Sequence, residues 1–307
     1  MRATPRPPGP TCHTLASMVA ILGGLGAALS WAIATLASSR SSRMIGPMSV
    51  LGWVMAVGLV AAIGPALLAR PVPLGPGEFV ALIVVGLSHN VGLLLVYAAL
   101  SIGRVSIVAP IVATEGALAA VISILLGASL ALATAVLLAA IAVGVVLAAA
   151  ERSADSPEAA VAPPSQNRRA ILFAIAAALT FSIGLVLSGR LGGQGVPPPW
   201  VMLASRTVGV TIIVLPLLVT RRFRLTRPAL PLVVVAGLLE VFGGAIYIIA
   251  ASQGRDSVAI AAVLSSQFAA IAAVGGFFLF GERLQRLQLL GVVIVAVGTT
   301  ALAAVES

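Results

Sequence analysis

The chain has 307 residues, of which 60% are hydrophobic and only 9% charged, and its net charge is +9. A soluble domain carries about 25% charged residues, so this composition excludes one and points to a chain built for the bilayer. All 18 basic residues are Arg and Lys is absent; they sit at the ends of apolar stretches, which suits anionic headgroups and orientation control rather than nucleic acid.

Residues 1–10 include Pro5, Pro7, Pro8 and Pro10, so positions 1–14 are expected to be a disordered tail. The lone Cys12 gives no disulfide framework. The first apolar stretch, 15–37, outlasts the ~7–15-residue core of a cleavable signal and reads as a retained span. In all, ten stretches suit a hydrocarbon core about 30 Å thick, which takes ~20 helical residues. They lie near 15–37, 45–69, 79–100, 105–127, 130–150, 171–189, 200–220, 229–252, 257–280 and 287–305. Short breaks carry the turn and charge signals, such as Pro71 with Pro73, Gly103 with Arg104, and the run Arg221, Arg222, Phe223, Arg224. The divide at 127–130 has no charge to mark it. Pro110 and Pro216 are the expected kinks. Residues 151–169, with Asp155, Pro157, Glu158, Pro163, Pro164, Gln166 and Asn167, read as a flexible tether. It separates two units, 15–150 and 170–305.

The two units repeat each other. A shift of 151 residues lays Gly86, Leu87, Gly92, Gly103, Arg104 and Ser106 onto Gly237, Leu238, Gly243, Gly254, Arg255 and Ser257. Over 86–120, ten of 35 positions are identical, where chance in so biased a composition gives roughly three or four. The same shift takes Gly58, Pro65 and Arg70 onto Gly209, Pro216 and Arg221. Each copy holds five apolar segments, an odd number, so the second must enter the membrane from the opposite face. The expected fold is an all-α integral membrane protein, ten transmembrane helices in two inverted five-helix repeats around a central cavity. That plan is the signature of alternating access to a site at the bilayer midplane.

Ionisable groups in the bilayer are costly and face a cavity or a partner. Glu115 lies mid-span in the fourth segment, where the second repeat has Ser266. Removal from water favours the neutral form of a carboxyl group, so Glu115 is the candidate for a substrate or proton role. Arg206 lies about one turn inside the seventh segment and either snorkels to the interface or faces the cavity. Glu240 and the pair His89 and Asn90 hold matching places in the eighth and third segments, and His89 falls on Glu240 at the repeat offset. His89 also fits a satisfied core histidine, and Glu240 also fits structural glue to Arg206 or His89. A second tier comprises Thr114, Ser265, Ser266, Gln267, Tyr97 and Tyr247. Ser265, Ser266 and Gln267 match Thr114, Glu115 and Gly116, so they are expected to line equivalent walls, with helix–helix hydrogen bonding as the plainer alternative.

These features together resemble the EamA-type branch of the drug/metabolite transporter superfamily. The run Leu279-Phe280-Gly281-Glu282-Arg283-Leu284, then Leu290, Gly291 and Gly298, resembles that family's Gly-Glu-Arg-Leu signature and glycine-bearing last helix. Val263-Leu264-Ser265-Ser266-Gln267 and Ala109-Pro110-Ile111-Val112-Ala113-Thr114-Glu115-Gly116 resemble the stretches that precede the signature in each half. The first half departs from the pattern, with Gly127-Ala128-Ser129-Leu130 in place of the signature, so Glu282 reads as a helix-end residue. The resemblance implies export of small metabolites, often amino acids or toxic analogues, a multi-pass place in the plasma membrane (bacterial inner membrane) and cytoplasmic termini. The arginines oppose that orientation. With the termini inside, the inner connections hold five (Arg2, Arg6, Arg70, Arg190, Arg255) and the outer ones twelve, against the positive-inside rule.

The leading expectation is a secondary transporter without cofactor or metal. Its partners would be a small-molecule substrate and membrane lipid, not nucleic acid, and it would act as monomer or homodimer. A non-transporting scaffold or receptor is the alternative. An intramembrane enzyme is not expected. Without Lys there is neither a P-loop nor a Schiff-base lysine. With only His13 and His89 there is no zinc-protease motif, and the only aspartates, Asp155 and Asp256, fall in connections.

Overall fold

The computed structural model describes residues 10–102, 105–149, 164–280 and 285–306, and they contain helices and connections but no strand. The turn at Gly103 and Arg104, most of the tether and the Gly281-Glu282-Arg283-Leu284 signature lie outside the described residues. The first unit contains α1 (Pro10–Ile45), α2 (Pro47–Leu68), α3 (Pro76–Ile102), α4 (Val105–Val112), α5 (Glu115–Leu125) and α6 (Leu132–Ala149). The second contains α7 (Pro164–Gly193), α8 (Pro198–Gly209), a π-helical turn (Val210–Val214), α9 (Leu215–Val219), α10 (Leu230–Ala251), α11 (Arg255–Ser265), α12 (Phe268–Phe280) and α13 (Arg286–Glu306). Five of these helices begin on Pro, whose missing N–H costs nothing where the first turn has no partner for it. Among the described residues nine helical stretches are long and apolar enough to cross a membrane. The stretch expected at 257–280 is covered instead by α11 and α12 in succession.

Helix ends follow local chemistry. The unmarked divide at 127–130 is closed by Gly127, at φ 96°. It lets Ala128 N–H reach Ser123 O (3.0 Å) and Gly127 N–H reach Ile124 O (2.9 Å), the paired bonds of a glycine-terminated helix. Gly195 ends α7 the same way, at φ 89°.

The fourth segment breaks at Ala113 and Thr114, three residues past Pro110. The ninth breaks at Ser266 and Gln267 with no proline nearby. At both, a backbone N–H shortens its reach to the third residue back, Thr114 to Ile111 O and Gln267 to Leu264 O, each 3.2 Å. Hydroxyls drive this by bonding back to their own helix: Thr114 to Ile111 O (2.7 Å), Ser265 to Ala262 O (3.0 Å) and Ser266 to Val263 O (2.8 Å). They compete for carbonyls the next turn would use. Pro216, the other expected kink, follows the π-helical turn, which makes room for a ring with no N–H to return.

The helices pack by exchange of partners between units. α1 lies on α10, and their repeat counterparts α7 and α3 lie on each other. A Cβ at Gly86 would stand 2.8 Å from Val208, and one at Gly237 would stand 2.8 Å from Val57. Positions 57 and 208 are themselves 151 apart, so one contact is made twice with the units interchanged.

α2 and α8 run antiparallel, and a tryptophan ties each end of their seam. Trp53, near the start of α2, donates its indole N–H to Arg224 O (2.9 Å) and stacks on Phe223 at 4.5 Å. Trp200, near the start of α8, donates to Ala66 O (3.0 Å). Trp53→Phe and Trp200→Phe keep most of the ring surface and lose one hydrogen bond each. Each is expected to cost ~1 kcal/mol, read as a small drop in the unfolding temperature of detergent-purified protein.

Candidate functional site

The charged residues converge where α2, α3, α8 and α10 meet. Arg206 sits in α8 with 2% of its surface exposed. Its Nη2 donates to Glu240 Oε2 at 3.2 Å, and its Nη1 donates to Met55 Sδ at 3.2 Å and stands 3.5 Å from His89 Nε2. His89 Nε2 lies 3.9 Å from Glu240 Oε2. A guanidinium so enclosed is tolerable only with a counter-charge in contact, and Glu240 supplies it. Arg206 thus turns inward to Glu240 rather than outward to the interface. Glu240 does make the bond to Arg206 that a structural role requires. Its side chain and that of His89 keep 22% and 27% of their surface accessible, so they form the less enclosed side of the cluster.

Two pairs in this cluster are repeat counterparts in direct approach. His89 and Glu240 are 151 positions apart, and so are Met55 and Arg206. Matching positions of the two units therefore meet at the centre of the site. Each half brings a different side chain to the matching position, thioether against guanidinium and imidazole against carboxylate. The backbones can come this close because Gly58 and Gly209, again counterparts, face the cluster. A Cβ at Gly58 would be 3.0 Å from Arg206 Cδ, and one at Gly209 would be 2.6 Å from Met55 Sδ and Asn90 Oδ1. Asn90 is fully buried and braces α3 on α8, donating from Nδ2 to Gly86 O (2.8 Å) and Ser205 O (3.1 Å).

Glu115 is the first residue of α5, placed by the helix break before it, and is 7% exposed. Its backbone carbonyl accepts a hydrogen bond from Ser182 Oγ in α7 (2.8 Å). Tyr247 donates to Leu185 O (3.0 Å) and lies 6.1 Å, ring to ring, from Trp31, which meets Phe268 edge-on at 6.4 Å. The Trp31 indole N–H donates to Glu240 O (3.4 Å). Trp31 thus links the backbone of Glu240 to the rings of Tyr247 and Phe268. Among the described residues no three His, Cys, Asp or Glu side chains converge as a metal ion would need.

The second-tier hydroxyls and amide take other places. Thr114, Ser265 and Ser266 spend their hydroxyl protons on the two helix breaks. Ser266 is also pressed against Gly116, where a Cβ would stand 2.6 Å from its Oγ. Gln267 points to α13, donating to Thr299 Oγ1 (3.0 Å). These are the helix hydrogen bonds given above as the plainer alternative, which short side chains in a tight crossing make with nearby carbonyls. Sequence reasoning missed Met55, Trp31, Phe181 and Ser182. Met55 carried a usable signal, since it is the residue that the repeat offset lays on Arg206. Phe181, whose ring stands 6.1 Å from His89, carried none.

The model of the EamA-like transporter family matches the chain twice, over residues 18–150 and 168–304. No curated protein matches it. Among 27 solved chains that match, one titled "Crystal structure of protein" superposes with a TM-score of 0.70 at 18% identity, covering 94% of this chain and 98% of its own. At that identity the likeness speaks for the fold alone. The family match spans most of the sequence in two copies, and the helices supply membrane-length apolar stretches throughout. The chain belongs to the EamA-like transporter family, in the drug/metabolite transporter superfamily, and is a multi-pass membrane transport protein.

Proposed function

We propose that this protein is a secondary active exporter of small metabolites, of the size of amino acids and related compounds. It works by alternating access to the Arg206, Glu240 and Glu115 cluster in the plasma membrane, and proton movement through Glu115 drives it. The observation that carries the reading is the meeting of repeat counterparts at the centre, Met55 on Arg206 and His89 on Glu240. A site on a two-fold relation between two halves can be exposed to either face when the halves exchange conformations.

Two further contacts support ten spans in inverted repeats. Ala16 at the start of the first unit and Glu306 at the end of the second line one cleft, together with Ser129, Thr134 and Gln253. Ser49 and Trp53 meet the backbone of Arg222 and Arg224 in a separate group. Five crossings in each unit would bring the chain's two ends to one face in this way. The unit would function as a monomer or homodimer in contact with lipid.

Purified protein in liposomes, offered a mixed metabolite pool and read by mass spectrometry, tests the reading. Enrichment of a defined compound that rises with an imposed pH gradient is expected. Exchange indifferent to the gradient would remove the proton role. No flux of any compound from folded protein would overturn the transporter reading in favour of a scaffold. Glu115→Gln is expected to reduce gradient-driven flux ~100-fold while leaving the chain folded, as befits a mid-membrane carboxyl kept for use rather than packing.

A further inference from the structure

We infer that the C-terminal end of α1 holds an anionic phospholipid, with its phosphate seated between Arg40 and Arg43. Ser39, Arg40, Arg43 and Met44 line a hollow of about 250 Å³ there. That is several times the ~30 Å³ share of a water molecule, so the hollow admits a phosphate diester. Helical spacing makes the four side chains neighbours, since 39 and 43, like 40 and 44, are four residues apart, and 40 and 43 are three apart. Both arginines are exposed. Among the described residues the ion pairs are those of Glu240 with Arg206 and His89, so neither Arg40 nor Arg43 has a carboxylate partner. Two guanidiniums beside a hydroxyl suit phosphate oxygens, which such planar forks bind in pairs.

The apolar part of the ligand is set by the same helix. Leu22, Leu29, Ile33, Arg40 and Met44 follow one another at steps of seven and four, so they form one stripe along α1, and all five are exposed. One leaflet of the hydrocarbon core is about 15 Å deep, or about ten helical residues. From Arg40 that distance runs back past Ile33 to Leu29, so an acyl chain lying on the stripe brings its phosphate to Arg40. A free anion gains nothing from the stripe or from Met44. The surrounding charge selects an anionic headgroup over a zwitterionic one. Ser49 Oγ donates to Arg222 O (3.2 Å) and the Trp53 indole to Arg224 O (2.9 Å), which ties the run 220–228 to the start of α2, next to the hollow. Residues 38–50 and 220–228 together hold Arg40, Arg43, Arg221, Arg222, Arg224 and Arg227 and no Asp or Glu. The amine of a zwitterionic headgroup therefore meets only like charge here, whereas each arginine near the surface attracts an anionic lipid. The second unit does not repeat the hollow. The 151-residue offset takes Ser39, Arg40 and Arg43 onto Arg190, Leu191 and Gln194. Leu191 is buried, and Arg190 donates to Leu126 O (3.4 Å).

The test is native mass spectrometry of the full chain in a neutral detergent, titrated with phosphatidylglycerol, phosphatidylcholine and inorganic phosphate. Phosphatidylglycerol is expected to bind first as a single resolved molecule, at least tenfold more tightly than phosphatidylcholine, and phosphate should not displace it. Arg40→Gln with Arg43→Gln should weaken that binding at least tenfold. Arg224→Gln with Arg227→Gln removes the same charge from the same end of the bundle and should change it less than twofold. Equal binding of phosphatidylcholine would overturn the inference, and so would displacement by phosphate, which would mark the hollow as a site for a free anion. Equal losses in the two double variants would overturn it as well, because the lipid would then be answering to diffuse charge rather than to the hollow. The selectivity of the unmodified chain decides the ligand class even if a variant fails to fold.

Discussion

Glu240→Leu should be the most damaging single charge removal, lowering stability by about 3–5 kcal/mol, because it strands the guanidinium of Arg206 in the bundle without a counter-ion. Arg206 has little recourse. Among the described residues its Nε has no hydrogen-bond partner, and its other neighbours are a thioether and an imidazole. The reverse change, Arg206→Met, should cost less, since Glu240 is partly exposed and has His89 nearby. Met at 206 would also restore the residue type its counterpart Met55 already provides. The double variant Arg206→Met with Glu240→Leu should therefore recover most of the loss, giving a coupling of several kcal/mol in a double-mutant cycle. Thermal unfolding of the four proteins in one detergent measures it. Losses that simply add would show that the two side chains act independently.

Gly291→Leu should have the next largest effect. α6 and α13, the last helices of the two units, cross at Gly144 and Gly291. A Cβ at 291 would collide with the backbone N of Ala148 and lie 2.5 Å from Gly144 O. A clash with a side chain can be relieved by a rotamer, but one with a neighbouring backbone moves the whole helix. The expected cost is ~3 kcal/mol or more, at the upper end for overpacking, with loss of monodisperse protein on size exclusion. Gly64→Leu is the control. That glycine has nothing among the described residues within 4 Å of its missing Cβ, so the same enlargement should leave the protein intact.

The sequence carried the large plan because that plan is written in period and composition. Long apolar stretches, an offset of 151 and proline at helix starts need no knowledge of which side chains touch. The same offset placed His89 against Glu240, and the two do approach. It also lays Met55 on Arg206, but a methionine in an apolar helix attracts no notice until a guanidinium is seen against its sulfur. The fate of Ser265, Ser266 and Gln267 was not legible for another reason. Whether a hydroxyl faces a cavity or bonds back to its own helix depends on crowding by the facing helix, here α5 at Gly116, which no local pattern encodes. The break they mark in the ninth segment lacks the proline that signals its counterpart, and only the returning hydroxyls account for it.

Whether one central site is reached from both faces in turn is tested most directly by cysteine labelling. His89→Cys, in a Cys12→Ser background and in sealed vesicles of known orientation, would be treated with a membrane-impermeant thiol reagent from one face and then the other. Alternating access predicts labelling from both faces, with any gradient that raises the rate on one side lowering it on the other. Labelling confined to a single face under every gradient would contradict it.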